Sequence, residues 1–180
     1  MMSKTWYTSD THFGSERTLE LSKRPFKSVE EMDNIIISNW NKVVAPEDYV
    51  FHLGDFGDYK RVKELNGKIV LVKGNYENKD ILTTLEDLKN YGFIRVYENA
   101  CHYFIKKGSE KYFISMGHEP SKVKNYNGIN LFGHVHKLCM IKPYGLNVGT
   151  DCHNFYPIDF NTVLFYYNAI KNHYDNEVFF

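Results

Sequence analysis

The sequence predicts an α/β protein built on two sheets, each partly parallel and partly antiparallel, with helices outside. Three observations carry this. Extended runs alternate with helical patterns through the first half of the chain; shorter runs joined by turn residues follow from about Phe93; and the early extended runs each stop at Gly or a polar cluster, as buried strands do.

The first extended run, Lys4 to Thr8, ends at Ser9-Asp10-Thr11-His12, the second, Tyr49 to Leu53, at Gly54-Asp55, and the third, Lys68 to Val72, at Lys73-Gly74-Asn75. Between the first two, Ser28 and Glu31 form a capping-box pattern, after which Val29, Met32, Ile36, Trp40 and Val43 share one helical face that must end before Pro46. A shorter helical stretch covers Tyr59 to Leu65 and closes at Asn66-Gly67. Asp80 is expected to open a further helix with Ile81, Leu82, Leu85 and Leu88 inward and Gly92 at its end. Then come short runs at Ile94 to Tyr97, Tyr103 to Ile105 and Lys111 to Ser115, the last two joined at Gly108-Ser109 as a hairpin. Strands are further expected at Ile129 to Phe132, Cys139 to Ile141 and Leu146 to Val148, before a final amphipathic helix that Asn161 caps. The aromatic segments Phe155-Tyr156 and Phe165-Tyr166-Tyr167 read as packing. No repeat or linker interrupts the 180 residues, so one domain is expected over 1–180.

Composition bounds the function. With 43% apolar and 24% charged residues the chain can fill a core, which excludes a disordered class. Twenty-two basic residues balance 22 acidic ones, and a chain of zero net charge lacks the basic surplus that non-specific nucleic-acid binding needs. Small phosphate esters remain as ligands. No apolar run approaches the roughly 20 residues that span a bilayer, and the first residues lack the apolar core of a signal peptide, so a cytoplasmic protein without membrane contact is expected. Cys101, Cys139 and Cys152 are too few for a disulfide framework and are expected as free, buried thiols.

The polar residues at the strand ends are the candidate site. In open α/β sheets, ligands bind beyond the carboxyl ends of strands, so residues distant in sequence converge there. They are Asp10, His12, Asp55, Asn75, His118, His134 and His136. Seven oxygen and nitrogen donors exceed what one catalytic ion takes while leaving a position open, which points to two ions sharing a bridging carboxylate. Hard oxygens mixed with imidazoles, and no thiolate, favour Mn2+, Fe or Zn2+. On an extended segment Asp10 and His12 would point the same way and meet one ion, and the same geometry is expected of His134 and His136. Gly54, Gly74 and Gly133 precede ligands, as close backbone approach requires. Taken singly, each donor is more often a turn former or a hydrogen-bonded histidine. His52, inside an apolar run, reads as core; His102 and His173 match no motif, and His153 is a candidate for the site mouth.

The ordered series Asp10-Thr11-His12, Gly54-Asp55, Gly74-Asn75-Tyr76-Glu77, His118 and Gly133-His134-Val135-His136 resembles the motifs of the calcineurin-like metallophosphoesterases, D-x-H, G-D, G-N-H-D/E, H and G-H-x-H, over most of the chain. Ser9 to Gly14, Arg24-Pro25-Phe26 and His52 to Phe56 look like a small bacterial and phage branch of that family. The resemblance implies a four-layer αββα sandwich, with two mixed sheets flanked by helices. It assigns Asp10, His12 and His136 to one divalent ion and Asn75, His118 and His134 to a second, with Asp55 bridging. It implies hydrolysis of a phosphate ester through a metal-bridging hydroxide, with Asp55, Asn75, Tyr76 and His134 as catalytic residues. Two ions are expected, Mn2+ ahead of Fe, Zn2+ or Ni2+.

Tyr76 departs from the family's histidine in G-N-H-D/E. A phenol of pKa about 10 is a poorer proton donor near neutrality than an imidazolium of about 6.5. Rate should then depend more on the leaving group. Because members of the resembled family with another residue in this slot include phosphodiesterases and pyrophosphohydrolases, the resemblance favours a phosphodiester or pyrophosphate-type substrate, a nucleotide among the candidates, over a simple monoester; Tyr76 can also stack on a substrate ring. Ser15 and Glu119 are smaller departures, on the substrate side. Arg24 is a candidate for gripping a substrate phosphate, with a surface role as the alternative, and Glu77 either orients the ligands or begins the next loop. The competing reading is a scaffold of the same fold used for protein contacts. A metallo-β-lactamase-type hydrolase is disfavoured because H-x-H-x-D-H is absent.

Overall fold

The computed structural model describes residues 3–124 and 128–173. In the first sheet, β1 (Thr5–Thr8), β2 (Tyr49–His52), β3 (Lys68–Val72) and β4 (Arg95–Tyr97) run parallel in that order, and β10 (Ile158–Asp159) pairs antiparallel on the free side of β1. The second sheet comprises β5 (Ala100–Lys107), β6 (Glu110–Gly117), β7 (Ile129–Phe132), β8 (Ile141–Lys142) and β9 (Gly145–Asn147), in the order β5-β6-β7-β9-β8. Here β6, β7 and β9 are parallel, while the edge strands β5 and β8 are antiparallel. The expected fold class holds: two mixed sheets flanked by helices in a sandwich.

Pairing fixes which residues enter each core. Tyr7, Phe51 and Val70 lie in register across β1, β2 and β3, and all three join the cluster that includes Ile114, Met116, Ile129, Leu131 and Leu146 of the second sheet. Their neighbours Trp6, Val50 and Ile69, on the opposite face by strand alternation, pack with Met32, Ile36 and Trp40 of α2 (Val29–Val43) and Leu88 of α4 (Leu85–Tyr91). The last helix, α5 (Phe160–Asn172), sends Val163 and Leu164 into the inter-sheet cluster.

Several local expectations change. Asp80 does not open a helix. It ends α3 (Asn75–Lys79) and accepts from the Leu82 and Thr83 amides, while α4 begins after Thr84, whose hydroxyl and the Asp87 carboxylate cap each other's backbone amides. Ile81 and Leu82 are consequently 89% and 86% exposed rather than inward. Tyr59–Glu64 is a 3-10 turn, and Asp159, not Asn161, caps α5. The strand expected from Cys139 is only Ile141–Lys142, because Cys139 ends a 3-10 turn at His136–Leu138. Phe165 faces solvent. Of the three free thiols only Cys101 is buried. The short helices α1 (Glu16–Leu21) and α3 lack an apolar stripe and so left no periodic signal. Among the described residues no helix is long and apolar enough to cross a membrane.

Candidate dinuclear metal centre

All seven predicted donors lie beyond the carboxyl ends of strands: Asp10 and His12 after β1, Asp55 after β2, Asn75 after β3 as the first residue of α3, His118 after β6, and His134 and His136 after β7, with His136 opening a 3-10 turn. Backbone bonds continue the β1–β2 ladder past its end, with the Asp10 amide on Gly54 O at 3.0 Å and the His12 amide on Asp55 O at 3.0 Å. Across the sandwich, the His134 amide donates to both Asp10 carboxylate oxygens, at 3.1 and 2.9 Å, while within the second sheet the Gly133 amide continues the β6–β7 pairing to His118 O at 2.9 Å. The two sheets are thus joined at the donor cluster itself.

Asp10, His12, Asp55, His134 and His136 all have positive φ, between 46° and 71°. Each costs on the order of 1 kcal/mol in a left-handed conformation, and such outliers gather where surrounding structure holds side chains for function. The extended geometry expected for both D-x-H and H-x-H is therefore corrected. Asp10 and His12 do meet, but through left-handed turns; His134 and His136 part company. His136 joins Asp10 and His12, with its Nε2 3.9 Å from Asp10 Oδ1, while its ring stacks on His12 with centroids 5.2 Å apart. His134 joins Asn75 and His118: His118 Nε2, His134 Nδ1 and Asn75 Oδ1 lie within 3.0 to 3.1 Å of one another. Asp55 Oδ2 stands between the trios, 3.6 Å from His12 Nε2 and 3.4 Å from His118 Nε2.

The glycines make this proximity feasible. A Cβ on Gly54 would meet the Gly74 amide nitrogen, one on Gly74 the Asp55 carboxylate, and one on Gly133 both Ser9 Oγ and Asp10 Oδ2. Glu77, buried on α3, accepts from the amides of Asp55 (2.8 Å), Phe56 (2.7 Å) and Gly74 (2.7 Å), so it orients the segments that carry Asp55 and Asn75.

Protonation follows from partners. His118 donates its Nδ1–H to the Leu53 carbonyl at 2.8 Å, which leaves Nε2 facing the site. Burial alone would lower the pKa of His118, but the Asp55 and Asp10 carboxylates push it up to about 9. Asp55 is held below the usual carboxylate range: burial opposes ionisation, and the hydrogen bond and charge of His118 outweigh it. His12 is pushed down to about 4 by burial, against the pull of Asp10 and Asp55. Both ring nitrogens of His12 are buried without a hydrogen-bond partner. Buried polar groups are rarely left so. Two ligands of one ion, with bonds of about 2.1 Å, stand about 3 to 3.4 Å apart, close to the spacing of His12 Nε2 from Asp55, so the residues fit a cation.

Arg24 corrects an expectation. It turns inward, its side chain 0% exposed, and donates to Thr11 O (2.8 Å), Asp10 O (2.6 Å) and both oxygens of Asp151 (3.0 and 2.9 Å), so it does not reach a substrate. Asp151 in turn accepts from His136 Nδ1 at 2.8 Å. Sequence reasoning missed Asp151, although it lies just past the strand end at Asn147 and two residues before His153, the candidate for the site mouth. His153 itself donates to Asn147 O and packs near Tyr166. Tyr76 is 37% exposed beside the centre, its amide bonded to Asp55 Oδ1 at 3.0 Å and its hydroxyl accepting from Arg17 at 3.3 Å. His52 is core, as expected.

What the fold and side chains define is an α/β sandwich with a cluster of Asp, Asn and His donors where the strands of both sheets end. No family model matches the chain. It is 28% identical over 171 residues to the uncharacterized protein MJ1445 of Methanocaldococcus jannaschii, across 91% of this chain and 90% of that one. A shorter stretch of 54 residues, 30% of this chain and 26% of the relative, is 43% identical to the gene 66 protein of Mycobacterium phage L5. The crystal structure of AQ665 from Aquifex aeolicus, a protein of unknown function, shares the fold with a TM-score of 0.68 over 92% of this chain and 100% of AQ665, at 24% identity.

Proposed function

We propose that the chain is a dinuclear metal-dependent phosphoesterase that hydrolyses a phosphodiester or related phosphate ester. The observation that carries the reading is His12, whose two buried ring nitrogens lack a partner while its Nε2 faces the carboxylates of Asp10 and Asp55. Asp10, His12 and His136 would hold one divalent ion, Asn75, His118 and His134 the other, with Asp55 shared. When bound, such a pair neutralises charge on phosphoryl oxygens and acidifies a water that attacks phosphorus. Mn2+ suits the mixed oxygen and imidazole set, as do Fe, Zn2+ and Ni2+.

The chain's own side chains supply the rest. Without cations, Asp10 and Asp55 repel an anionic substrate. Tyr76, with its amide fixed on Asp55, would offer its phenol at the mouth as a hydrogen-bond donor to a leaving oxygen, and Arg17, which donates to that phenol, would bind a non-reacting phosphate oxygen. Phenol in place of imidazolium favours substrates whose leaving group needs little protonation, so the reading ranks diesters and pyrophosphate-type compounds, nucleotides included, ahead of monoesters, in the cytoplasm, without a membrane partner and without non-specific nucleic-acid binding. A scaffold for protein contacts has no use for five donors held in left-handed turns. The test is turnover of an aryl phosphodiester by metal-free protein before and after Mn2+ addition. Activity appearing with Mn2+ supports the reading; silence across mono- and diesters with every divalent ion rejects it.

A further inference from the structure

The two donor trios differ in what stands behind their histidines. His118 backs onto a neutral carbonyl, Leu53 O. His136 backs onto the carboxylate of Asp151, whose side chain is 2% exposed and is gripped through both oxygens by Arg24. Arg24 also binds the backbone carbonyl of Asp10, where the Thr150 hydroxyl donates as well, at 3.1 Å. Two donors of the same trio, Asp10 and His136, are therefore tied together from the rear through Arg24 and Asp151. Ser22 Oγ shares the His136 Nδ1 position at 3.2 Å, longer than the 2.8 Å of Asp151.

An ionised acceptor on one imidazole nitrogen fixes the proton there and makes the other nitrogen a better metal ligand. His136 Nε2, the nitrogen left over, is the one turned toward Asp10. The trios also differ in readiness. His12 has no hydrogen bond to give up, whereas Asn75, His118 and His134 bond one another. Charge points the same way, since the first trio contains a carboxylate and the second a neutral amide.

We infer that Asp151 is a positioning residue that makes the site of Asp10, His12 and His136 the tighter of two unequal cation sites. The inference rests on the dinuclear reading. Unequal sites load in order, and the looser one is the site that ambient metal concentration controls.

The experiment is a Mn2+ titration of metal-free protein, with free ion followed by electron paramagnetic resonance. Wild type is expected to take up two equivalents with distinct affinities, and Asp151→Asn to weaken the tighter by about 10- to 100-fold while leaving the looser unchanged. Two equivalents in wild type with both affinities unaltered in the variant would overturn the inference alone. Fewer than two equivalents in wild type would overturn the dinuclear reading with it. Asp151→Asn leaves Arg24 buried without its counter-charge, so a second measurement uses wild type: in zinc-loaded protein with 15N-labelled histidine, His136 is expected to show a downfield, hydrogen-bonded Nδ1 proton. A His136 Nδ1 bound to metal, or exchanging freely with water, overturns the inference as well.

Discussion

The ring of Tyr76 stands edge-on to the imidazole of His12, with centroids 4.9 Å apart and planes at 81°. The residue that replaces an expected histidine thus touches the one donor whose nitrogens lack partners. If leaving-group protonation limits turnover, Tyr76→His should raise hydrolysis of esters with poor leaving groups by roughly a hundredfold, the lower range of general acid catalysis, and barely change aryl esters. Rates compared across a leaving-group series decide it; equal effects on good and poor leaving groups would refute a proton-donor role for this position.

Arg17 donates to the Tyr76 hydroxyl at 3.3 Å from α1, and both side chains are exposed at the mouth. Arg17→Ala is expected to raise KM severalfold with little change in kcat, because a contact to a non-reacting oxygen is made equally in ground and transition states. A fall in kcat at constant KM would place Arg17 on the developing charge instead.

Asp55 lies between the two trios, so Asp55→Asn should abolish turnover and remove the rise in melting temperature that Mn2+ gives the wild type. Saturation at about 100 times Kd is worth about 2.7 kcal/mol per site, readily seen by thermal denaturation. An Asp55→Asn protein still stabilised by Mn2+ to the wild-type extent would exclude bridging by this carboxylate.

Gly133 has no room for a methyl group, since its Cβ would meet Ser9 Oγ and Asp10 Oδ2. Gly133→Ala is expected to cost roughly 1–3 kcal/mol by overpacking and to weaken metal uptake through displacement of Asp10. Urea unfolding and Mn2+ titration of the variant test both; wild-type values for each would show that the loop yields freely.

His52 gives a pH dependence with a definite sign. The Thr11 hydroxyl donates to Phe56 O, so His52 Nε2–H donates to Thr11 Oγ1, and Nδ1 is left buried without a partner. Burial pushes this imidazole from 6.5 down to about 3, with the nearby His118 adding to the effect. The unfolded chain binds the proton first, so stability is lost as pH falls from 6.5 toward 3, by about 1.4 kcal/mol per pH unit. His52→Leu should flatten that slope by about one proton in urea unfolding at several pH values between 7 and 5. An unchanged slope would mean that His52 already carries a proton in the folded state.

The fold class and the seven donors were legible because both depend on patterns a single chain displays: apolar runs of strand length, and polar residues immediately after them. Pairing order beyond β3 was not, since β7–β9 adjacency joins strands separated by the β8 edge. The parting of His134 from His136 was hidden for a different reason. A two-residue spacing fixes direction only on extended backbone, and His134 and His136 both have positive φ, with the His134 amide bonded to the Asp10 carboxylate. Arg24 and Asp151 are 127 residues apart and meet only in the folded chain, so an arginine beside Pro25 looked like a surface phosphate grip until its partner was visible.

Anomalous diffraction from crystals of the Mn2+-loaded protein tests the central claim most directly. Two manganese peaks are expected about 3.5–4 Å apart, both in contact with Asp55, one against Asp10, His12 and His136 and the other against Asn75, His118 and His134. A single peak, or two peaks that leave His12 without a metal contact, would contradict the account.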